Sequence, residues 1–99
     1  MSEYVVVIKD HAGAEKLREQ HGPEHFGNIP PLVDAGIVVC GGAMFNEEGS
    51  PVGSHIQIVA DSREQVLEML KKDVFARENV WDLESAIIYK FDCAVRKPM

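Results

Sequence analysis

Apolar runs separated by turn-forming residues predict four β-strands. Segments rich in Val and Ile and bounded by Gly, Pro or Asp are typical of strands. Four such segments follow one another along the chain, at residues 3–9, 37–44, 52–60 and 83–94. The last of these is longer than the usual strand of about 5–6 residues. The Gly41-Gly42 pair inside the second predicted strand is typical of a bulge or a close backbone approach.

Two helices are predicted between these strands. Pro23 suits the first turn of a helix and Glu24 favours its positive end, so the first helix is predicted from residue 23 towards residue 35. Pro30 and Pro31 should kink or shorten it, because proline lacks the backbone N–H. Residues 13–20 are predicted to form a loop with a helical turn.

A capping box predicts the start of the second helix more clearly. Ser62 stands three residues before Gln65, the spacing at which the two can cap each other's backbone N–H groups. Val66, Leu67 and Leu70 follow at helical spacing. Residues 73–79 are predicted to form a turn or a short helix.

The resulting order, βαββαβ, is that of the ferredoxin-like fold. We therefore predict an α+β protein with an antiparallel four-stranded sheet. Both helices should cover one face of the sheet, because right-handed crossovers place them on the same side. Residues 1–99 are predicted to form a single domain.

Apolar residues occupy both faces of the predicted strands. In the first strand Tyr4, Val6 and Ile8 point to one face, while Val5 and Val7 point to the other. The last strand shows the same alternation. Since the helices can cover only one face, the uncovered apolar face predicts association. We expect a homodimer in which two sheets pack face to face.

Composition and charge narrow the range of partners. The net charge is −6 and the isoelectric point is about 5.1, which argues against a nucleic-acid partner. No apolar run approaches the ~20 residues that span a bilayer, so no membrane partner is expected. The beginning of the chain has no secretory signal pattern, and a cytoplasmic location is predicted. Cys40 and Cys93 lack metal-type spacing and are expected to be buried, reduced thiols, with a disulfide between neighbouring strands as the alternative.

An aspartate and a histidine are the best candidates for chemistry. Asp10 follows the first predicted strand and His25 lies in the first turn of the first predicted helix. A βα connection brings two such ends to the same edge of a sheet. A carboxylate there could orient the imidazole for acid–base catalysis. The alternative is structural: Asp10 caps a turn and His25 is a solvated residue at a helix start.

Two further side chains could bind a ligand oxygen. Arg18 lies between the two candidates and could bind an anionic or phenolic oxygen, although it could equally be a surface arginine. Ser54 could donate a hydrogen bond at the start of the third predicted strand.

A metal site at His21 and His25 is disfavoured, because Gly22 and Pro23 fall between them and no further ligands complete a set. No metal and no cofactor are predicted.

In their order along the chain, these residues resemble the YCII-related (YciI-like) family, within the ferredoxin-like dimeric α+β barrel superfamily. The resemblance covers nearly the whole sequence. It is carried by residues and motifs spread from the first strand to the start of the last: Asp10, Arg18, Pro23-Glu24-His25, Gly36, Gly41-Gly42, Gly53-Ser54, Asp73-Val74-Phe75 and Val80-Trp81.

The resemblance implies a small dimeric domain with a ligand pocket between sheet and helices. It implies a His–Asp active site, carried over by position to His25 and Asp10, and some members of the family are dehydrochlorinases of chlorinated hydroxyquinols. This chain has Gly22 where the family often has arginine, and Asp73-Val74 where the family favours Asp-Pro. Pro30-Pro31 also interrupts the more continuous helix of the family.

Two functional hypotheses follow. The first is a cofactor-free enzyme that transfers a proton, as a lyase or isomerase, on a small cyclic or phenolic metabolite. His25 and Asp10 would be catalytic, while Arg18 and Ser54 would position the substrate oxygen. The second is a non-catalytic dimeric module that binds a small molecule. The two hypotheses differ in whether His25 lies in a concave site beside a carboxylate.

Overall fold

A computed structural model describes residues 1–98 of the chain. Its strands are β1 (Ser2–Lys9), β2 (Val38–Phe45), β3 (Pro51–Ala60) and β4 (Ile87–Phe91). Its helices are α1 (Glu15–Gly27), α2 (Ile29–Asp34), α3 (Arg63–Lys72) and α4 (Val74–Arg77), with a 3₁₀ turn at Leu83–Ser85. None of the helices within residues 1–98 has the length and apolar character needed to cross a membrane.

The four strands form one antiparallel sheet in the order β2-β3-β1-β4. Each crossover carries two helical pieces, α1 with α2 and α3 with α4. The predicted ferredoxin-like α+β fold is therefore confirmed, with the first predicted helix divided in two and α4 formed where a turn or short helix was predicted. The last strand is shorter than predicted, because the 3₁₀ turn occupies the beginning of that segment.

The first helix differs most from the prediction. It begins at Glu15, eight residues before the predicted start, and it continues through Pro23. Ala14 provides no side-chain cap at its start, and the segment has no apolar stripe, so the usual sequence signals are absent. Pro30 lies at the start of the separate helix α2, where its missing N–H costs little.

The start of α3 is formed as the sequence predicts. The Ser62 hydroxyl accepts a hydrogen bond from the Gln65 backbone N–H at 3.1 Å. The Gln65 side chain returns to the backbone N–H of Asp61, one residue earlier than the usual capping box, at 2.6 Å. Val66 and Leu70 are buried against the sheet.

The core lies between the helices and one face of the sheet. Tyr4, Val6 and Ile8 of β1 are buried there, as the alternation in the first strand predicts. The largest side chains that complete the core come from the segment after α3, namely Phe75 and Trp81.

The second sheet face is apolar and uncovered in this single chain. Ile87, Tyr89 and Phe91 are exposed on it, and Val5 and Val7 of β1 are only partly buried. Register places these side chains together, since Val5 pairs with Tyr89 and Val7 with Ile87. We call these five residues the open-face patch.

Two predictions, one about a bulge in the edge strand β2 and one about the cysteines, differ from the structure. The register shifts lie between Val38 and Cys40 and between Met44 and Phe45, so the pairing is regular at Gly41-Gly42, where a bulge was one of the two predictions. Cys40 is exposed and Cys93 is partly exposed, so the predicted burial of both thiols is wrong. Both thiols are free.

Candidate functional site

A pocket of about 260 Å³ lies between the helical layer and the strands β2 and β3. Most of its lining is apolar, but five side chains that carry a nitrogen or oxygen atom, from distant parts of the chain, also line it. These are Arg18, His25, Ser54, Asp73 and Trp81. We call these five residues the polar cluster.

His25 forms an ion-pair-like contact with Asp73. The imidazole Nδ1 lies 2.9 Å from each carboxylate oxygen of Asp73. Since a carboxylate only accepts hydrogen bonds, Nδ1 carries the proton and its N–H donates a hydrogen bond to Asp73. In neutral His25 this leaves the Nε2 lone pair unprotonated.

His25 lines the pocket, and its hydrogen bonds within residues 1–98 use Nδ1 and leave Nε2 without a partner. His25 is only 8% exposed and lines the pocket. Among residues 1–98 no fully buried side-chain nitrogen or oxygen lacks a hydrogen-bond partner. Nε2 has none among these residues, so it is not fully buried, and it belongs to a side chain that lines the cavity. Such a nitrogen can take a proton from a bound molecule or return one.

Asp73 is held in place by the helix that follows it. It is the N-cap of α4, and its Oδ1 accepts the Phe75 backbone N–H at 2.9 Å. The Phe75 ring stacks on His25, with centroids 4.0 Å apart and planes at 10°. The Trp81 indole packs edge-on against the imidazole, with ring centroids 5.6 Å apart. The segment after α3 therefore both pairs with the imidazole and orients it.

Asp10 pairs with Arg18 and not with His25. The guanidinium donates from Nε to Oδ2 at 2.6 Å and from Nη2 to Oδ1 at 2.8 Å, a bidentate geometry. The side chains of Arg18 and Asp10 are 10% and 6% exposed. The contact expected between Asp10 and His25 is thus wrong.

The early start of α1 explains this correction. Asp10 lies at the end of β1, close to the start of α1, so it meets a residue in the first turns of that helix. His25 lies in the last turn, seven residues and roughly 10 Å beyond Arg18. Seven residues make about two turns, so Arg18 and His25 share the face of α1 that lines the pocket.

Ser54 joins the arginine to the tryptophan. Its Oγ accepts a hydrogen bond from Arg18 Nη2 at 2.9 Å and from Trp81 Nε1 at 3.1 Å. Gly53 allows β3 to lie this close to β1, since a Cβ there would collide with the carbonyl oxygen of Ile8. Asp10 and Trp81 also form a backbone bridge, which brings the indole to Ser54.

These two donors determine what Ser54 can do. A hydroxyl has two acceptor lone pairs and one donor hydrogen. Both lone pairs are used, so Ser54 can only donate to a further group. Ser54 is 4% exposed and lines the pocket. Arg18 Nη1 also remains unpartnered among residues 1–98. The pocket thus contains two potential donors for a ligand oxygen.

Sequence reasoning named Asp73 only as part of the family resemblance and did not place it in the site. The signal for Asp73 was its position directly after a predicted helix, where an aspartate can cap a following short helix. Within residues 1–98 no three His, Cys, Asp or Glu side chains are grouped closely enough to hold a metal ion.

Comparison with known proteins agrees with this fold. The model of the YCII-related domain matches residues 2–92. The chain belongs to the YCII family. It is 34% identical over 97 residues to "Fusaric acid biosynthesis protein 2" of Gibberella fujikuroi, covering 92% of this chain and 93% of that protein. This YCII chain and that relative therefore have closely similar extents.

A longer protein also contains a similar segment. The chain is 34% identical over 100 residues to "Aspartate kinase FUB3" of Fusarium oxysporum f. sp. lycopersici. The match covers 95% of this chain but only 18% of the kinase. The YCII-like part is therefore a small fraction of that protein's length.

A solved structure shows the same fold. It is "5-chloro-2-hydroxyhydroquinone dehydrochlorinase (TftG)" from Burkholderia phenoliruptrix AC1100, in complex with 2,5-dihydroxybenzoquinone. The TM-score is 0.76 at 18% sequence identity, over 91% of this chain and 93% of the other. The likeness establishes a shared ferredoxin-like architecture.

Proposed function

We propose that this YCII protein is a small enzyme that transfers a proton on a cyclic or phenolic metabolite, with His25 as the general acid–base group. The observation that carries the proposal is the contact of His25 Nδ1 with both Asp73 oxygens at 2.9 Å, beside the pocket. Asp73 replaces Asp10 as the partner of the imidazole.

The His25–Asp73 pair has the arrangement that acid–base catalysis requires. Nε2 takes a proton from a substrate carbon or oxygen, and the Asp73 carboxylate stabilises the imidazolium that results. Asp73 also holds the tautomer in which Nε2 is free. Positioned groups of this kind typically contribute about 10²–10⁴-fold to a rate.

Arg18 and Ser54 are proposed to hold the substrate oxygen. When a proton leaves a carbon next to a carbonyl, the C–H electron pair moves towards that oxygen and forms an enolate. The Ser54 hydroxyl and Arg18 Nη1 donate to this oxygen, which stabilises the growing negative charge. Return of the proton at another atom gives an isomer, whereas loss of a leaving group from the adjacent carbon gives an elimination.

Asp10 acts in this scheme as a positioning residue. Its two hydrogen bonds fix the plane of the guanidinium, and the Arg18 carbon Cζ lies 4.9 Å from the Phe75 ring centroid. The positive charge of Arg18 is balanced by Asp10. The cluster therefore favours a neutral oxygen that becomes negative during the reaction over a permanently charged anion.

The comparisons support a small-molecule substrate by analogy. The solved neighbour is named as a dehydrochlorinase and its complex holds a quinone. The relative from Gibberella fujikuroi is named for the biosynthesis of fusaric acid. The name dehydrochlorinase supports an elimination reaction, and the name of the fusaric acid relative supports a specialised metabolite as the substrate.

Hydrogen–deuterium exchange tests the proposal directly. A panel of phenols, hydroquinones and cyclic ketones is incubated with the protein in D₂O, and exchange at substrate carbons is followed by NMR. We expect catalysed exchange that His25→Gln removes and that Glu24→Gln, an exposed neighbour on α1, retains. Ligand binding without exchange in the unchanged protein would instead favour the non-catalytic binding module.

We also propose that two copies pair through the open-face patch. Ile87, Tyr89 and Phe91 would otherwise remain exposed to water. An apolar surface on a sheet face is typical of an association site. Packing two such sheets would bury the side chains of both copies and leave the pocket, on the opposite face, accessible.

A further inference from the structure

The floor of the pocket includes three pairs of residues on β2 and β3, which alternate with pairs that point to the other face of the sheet. Ser54 pairs with Ala43, Ile56 with Gly41, and Ile58 with Val38. All six line the pocket. Ser54 and Ile58 are four strand residues apart, which is roughly 13 Å. Ser54, which binds Arg18 and Trp81, therefore lies at one end of a floor whose other end is the apolar Ile58–Val38 pair.

The walls above the far end are also apolar. They are formed by apolar side chains of α2 and α3 together with the Ile58–Val38 pair, whereas the charged lining residues Arg18, His25 and Asp73 belong to the polar cluster. We call this region the tail compartment, and its wall residues are Ile29, Leu32, Val33 and Met69.

The volume exceeds what a small ring requires. The pocket measures about 260 Å³. A closed apolar cavity of about 150 Å³ is large enough to bind benzene. If each further carbon occupies about the 30 Å³ of a water molecule, the remainder accommodates roughly three to four carbons.

We infer that the ligand of this site has an oxygen-bearing ring at Ser54 and Arg18, and an apolar tail that lies over Gly41 in the tail compartment. The position of the ring rests on the proposed function. The position of the tail rests on the lining residues and on the order of the three floor pairs.

Because Gly41 has no side chain, the space between the two ends of the pocket is not filled at this position. It occupies the middle of the floor, opposite Ile56. Its backbone does not require glycine, because the glycines with positive φ are Gly13, Gly36 and Gly49. An added Cβ would meet its nearest neighbour, the His55 carbonyl oxygen, at 3.6 Å, an ordinary contact. Side chains at this position are therefore tolerated by the fold but would fill the middle of the pocket.

A series of 4-alkylphenols tests the tail. Dissociation constants are measured by calorimetry for phenol, 4-methylphenol, 4-propylphenol and 4-butylphenol. We expect affinity to rise by up to about fourfold per carbon, and by on the order of 10²-fold over four carbons, as for buried methylene groups. A flat series, or no binding of any member at millimolar concentration, would overturn the inference.

Gly41→Val and Gly42→Val provide a matched pair. Gly42 lines the pocket only with its backbone, since it pairs with His55 and a side chain there would point to the opposite face, with no atom within 4 Å of the added Cβ. We expect Gly41→Val to bring 4-butylphenol to within about threefold of phenol, while Gly42→Val keeps the full gain. Retained phenol binding shows that Gly41→Val has folded, and Gly41→Ala should be intermediate. Equal loss for phenol and 4-butylphenol in Gly41→Val would contradict a tail at this position.

The inference and the proposed function fail in different measurements. The tail is measured by binding, and the acid–base role by proton exchange. Chain-length-dependent binding without exchange would refute the catalytic proposal alone. Exchange on simple rings without any benefit from a tail would refute the tail alone.

Discussion

The imidazole of His25 lies flat against the ring of Phe75, with centroids 4.0 Å apart and planes at 10°. The backbone N–H of Phe75 also donates to Asp73, the partner of that imidazole. Phe75 thus supports both the ring of His25 and the carboxylate of Asp73. Packing and acid–base geometry are coupled at this point, because one short helix supplies both.

Phe75→Ala should destabilise the protein strongly. Phe75 is almost fully buried in the core, and such truncations typically cost about 3–5 kcal/mol because they leave a cavity. Urea unfolding followed by circular dichroism measures the change. Phe26→Ala is the control, since Phe26 also contacts His25 but is 63% exposed, and it should cost less than about 0.5 kcal/mol. Equal losses would contradict the role given to the stacked ring.

Asp73→Asn should change the tautomer of His25. The side-chain oxygen of the introduced asparagine can still cap α4. Its amide N–H groups, however, favour a His25 imidazole with an unprotonated Nδ1 and a protonated Nε2. Nitrogen NMR of the labelled imidazole reports the tautomer, and turnover should fall by about 10²–10⁴-fold.

Asp10→Asn is the matched comparison for Asp73→Asn. Asp10 contacts Arg18 and not His25, so the imidazole should keep its tautomer in this variant. A tautomer change in Asp10→Asn, with none in Asp73→Asn, would restore the pairing that the sequence suggested.

Breaking the Asp10–Arg18 ion pair should destabilise the fold. Removal of one partner leaves a charge that is largely buried, at a typical cost of about 3–5 kcal/mol. We expect Arg18→Met and Asp10→Asn each to lower the free energy of unfolding. The double variant should lose less than the sum of the two, because neither charge then lacks its partner. Strict additivity in a double-mutant cycle would show that the pair is not coupled.

Tyr89→Glu should prevent association if two copies pair through the open-face patch. Tyr89 is 69% exposed and lies opposite Val5 of β1. A carboxylate there would have to be desolvated in an apolar interface, which is costly. Light scattering coupled to gel filtration at micromolar concentration should show a dimer for the unchanged protein and a monomer for this variant.

Leu17→Glu provides the control for association. Leu17 is a partly exposed residue of α1, in the helical layer, so the same type of substitution there should leave the mass unchanged. A monomeric unchanged protein would refute the proposed pairing.

Several features of the fold followed from local sequence. The alternation in β1 predicted that Tyr4, Val6 and Ile8 would face the core, because successive side chains on a strand point to opposite faces. Ser62 and Gln65 predicted the start of α3, because capping involves residues three apart. Such signals are readable since the atoms that interact are close in sequence.

The start of α1 was not readable in this way. Ala14 offers no capping side chain and Pro23 suggested a helix start that does not exist. Since the helix began later in the prediction, His25 was placed beside the end of β1. The same error assigned Asp10 to the wrong partner.

The sequence by itself determined the four strands, the ferredoxin-like order and the residue types available for chemistry, because each depends on neighbours along the chain. Only the tertiary structure decided that His25 pairs with Asp73, which lies 48 residues away. It also decided that Ser54 accepts from both Arg18 and Trp81 and is left with a single hydrogen to donate. Contacts of this kind depend on how α1, β3 and the segment after α3 pack together, and no local pattern in the sequence specifies that packing.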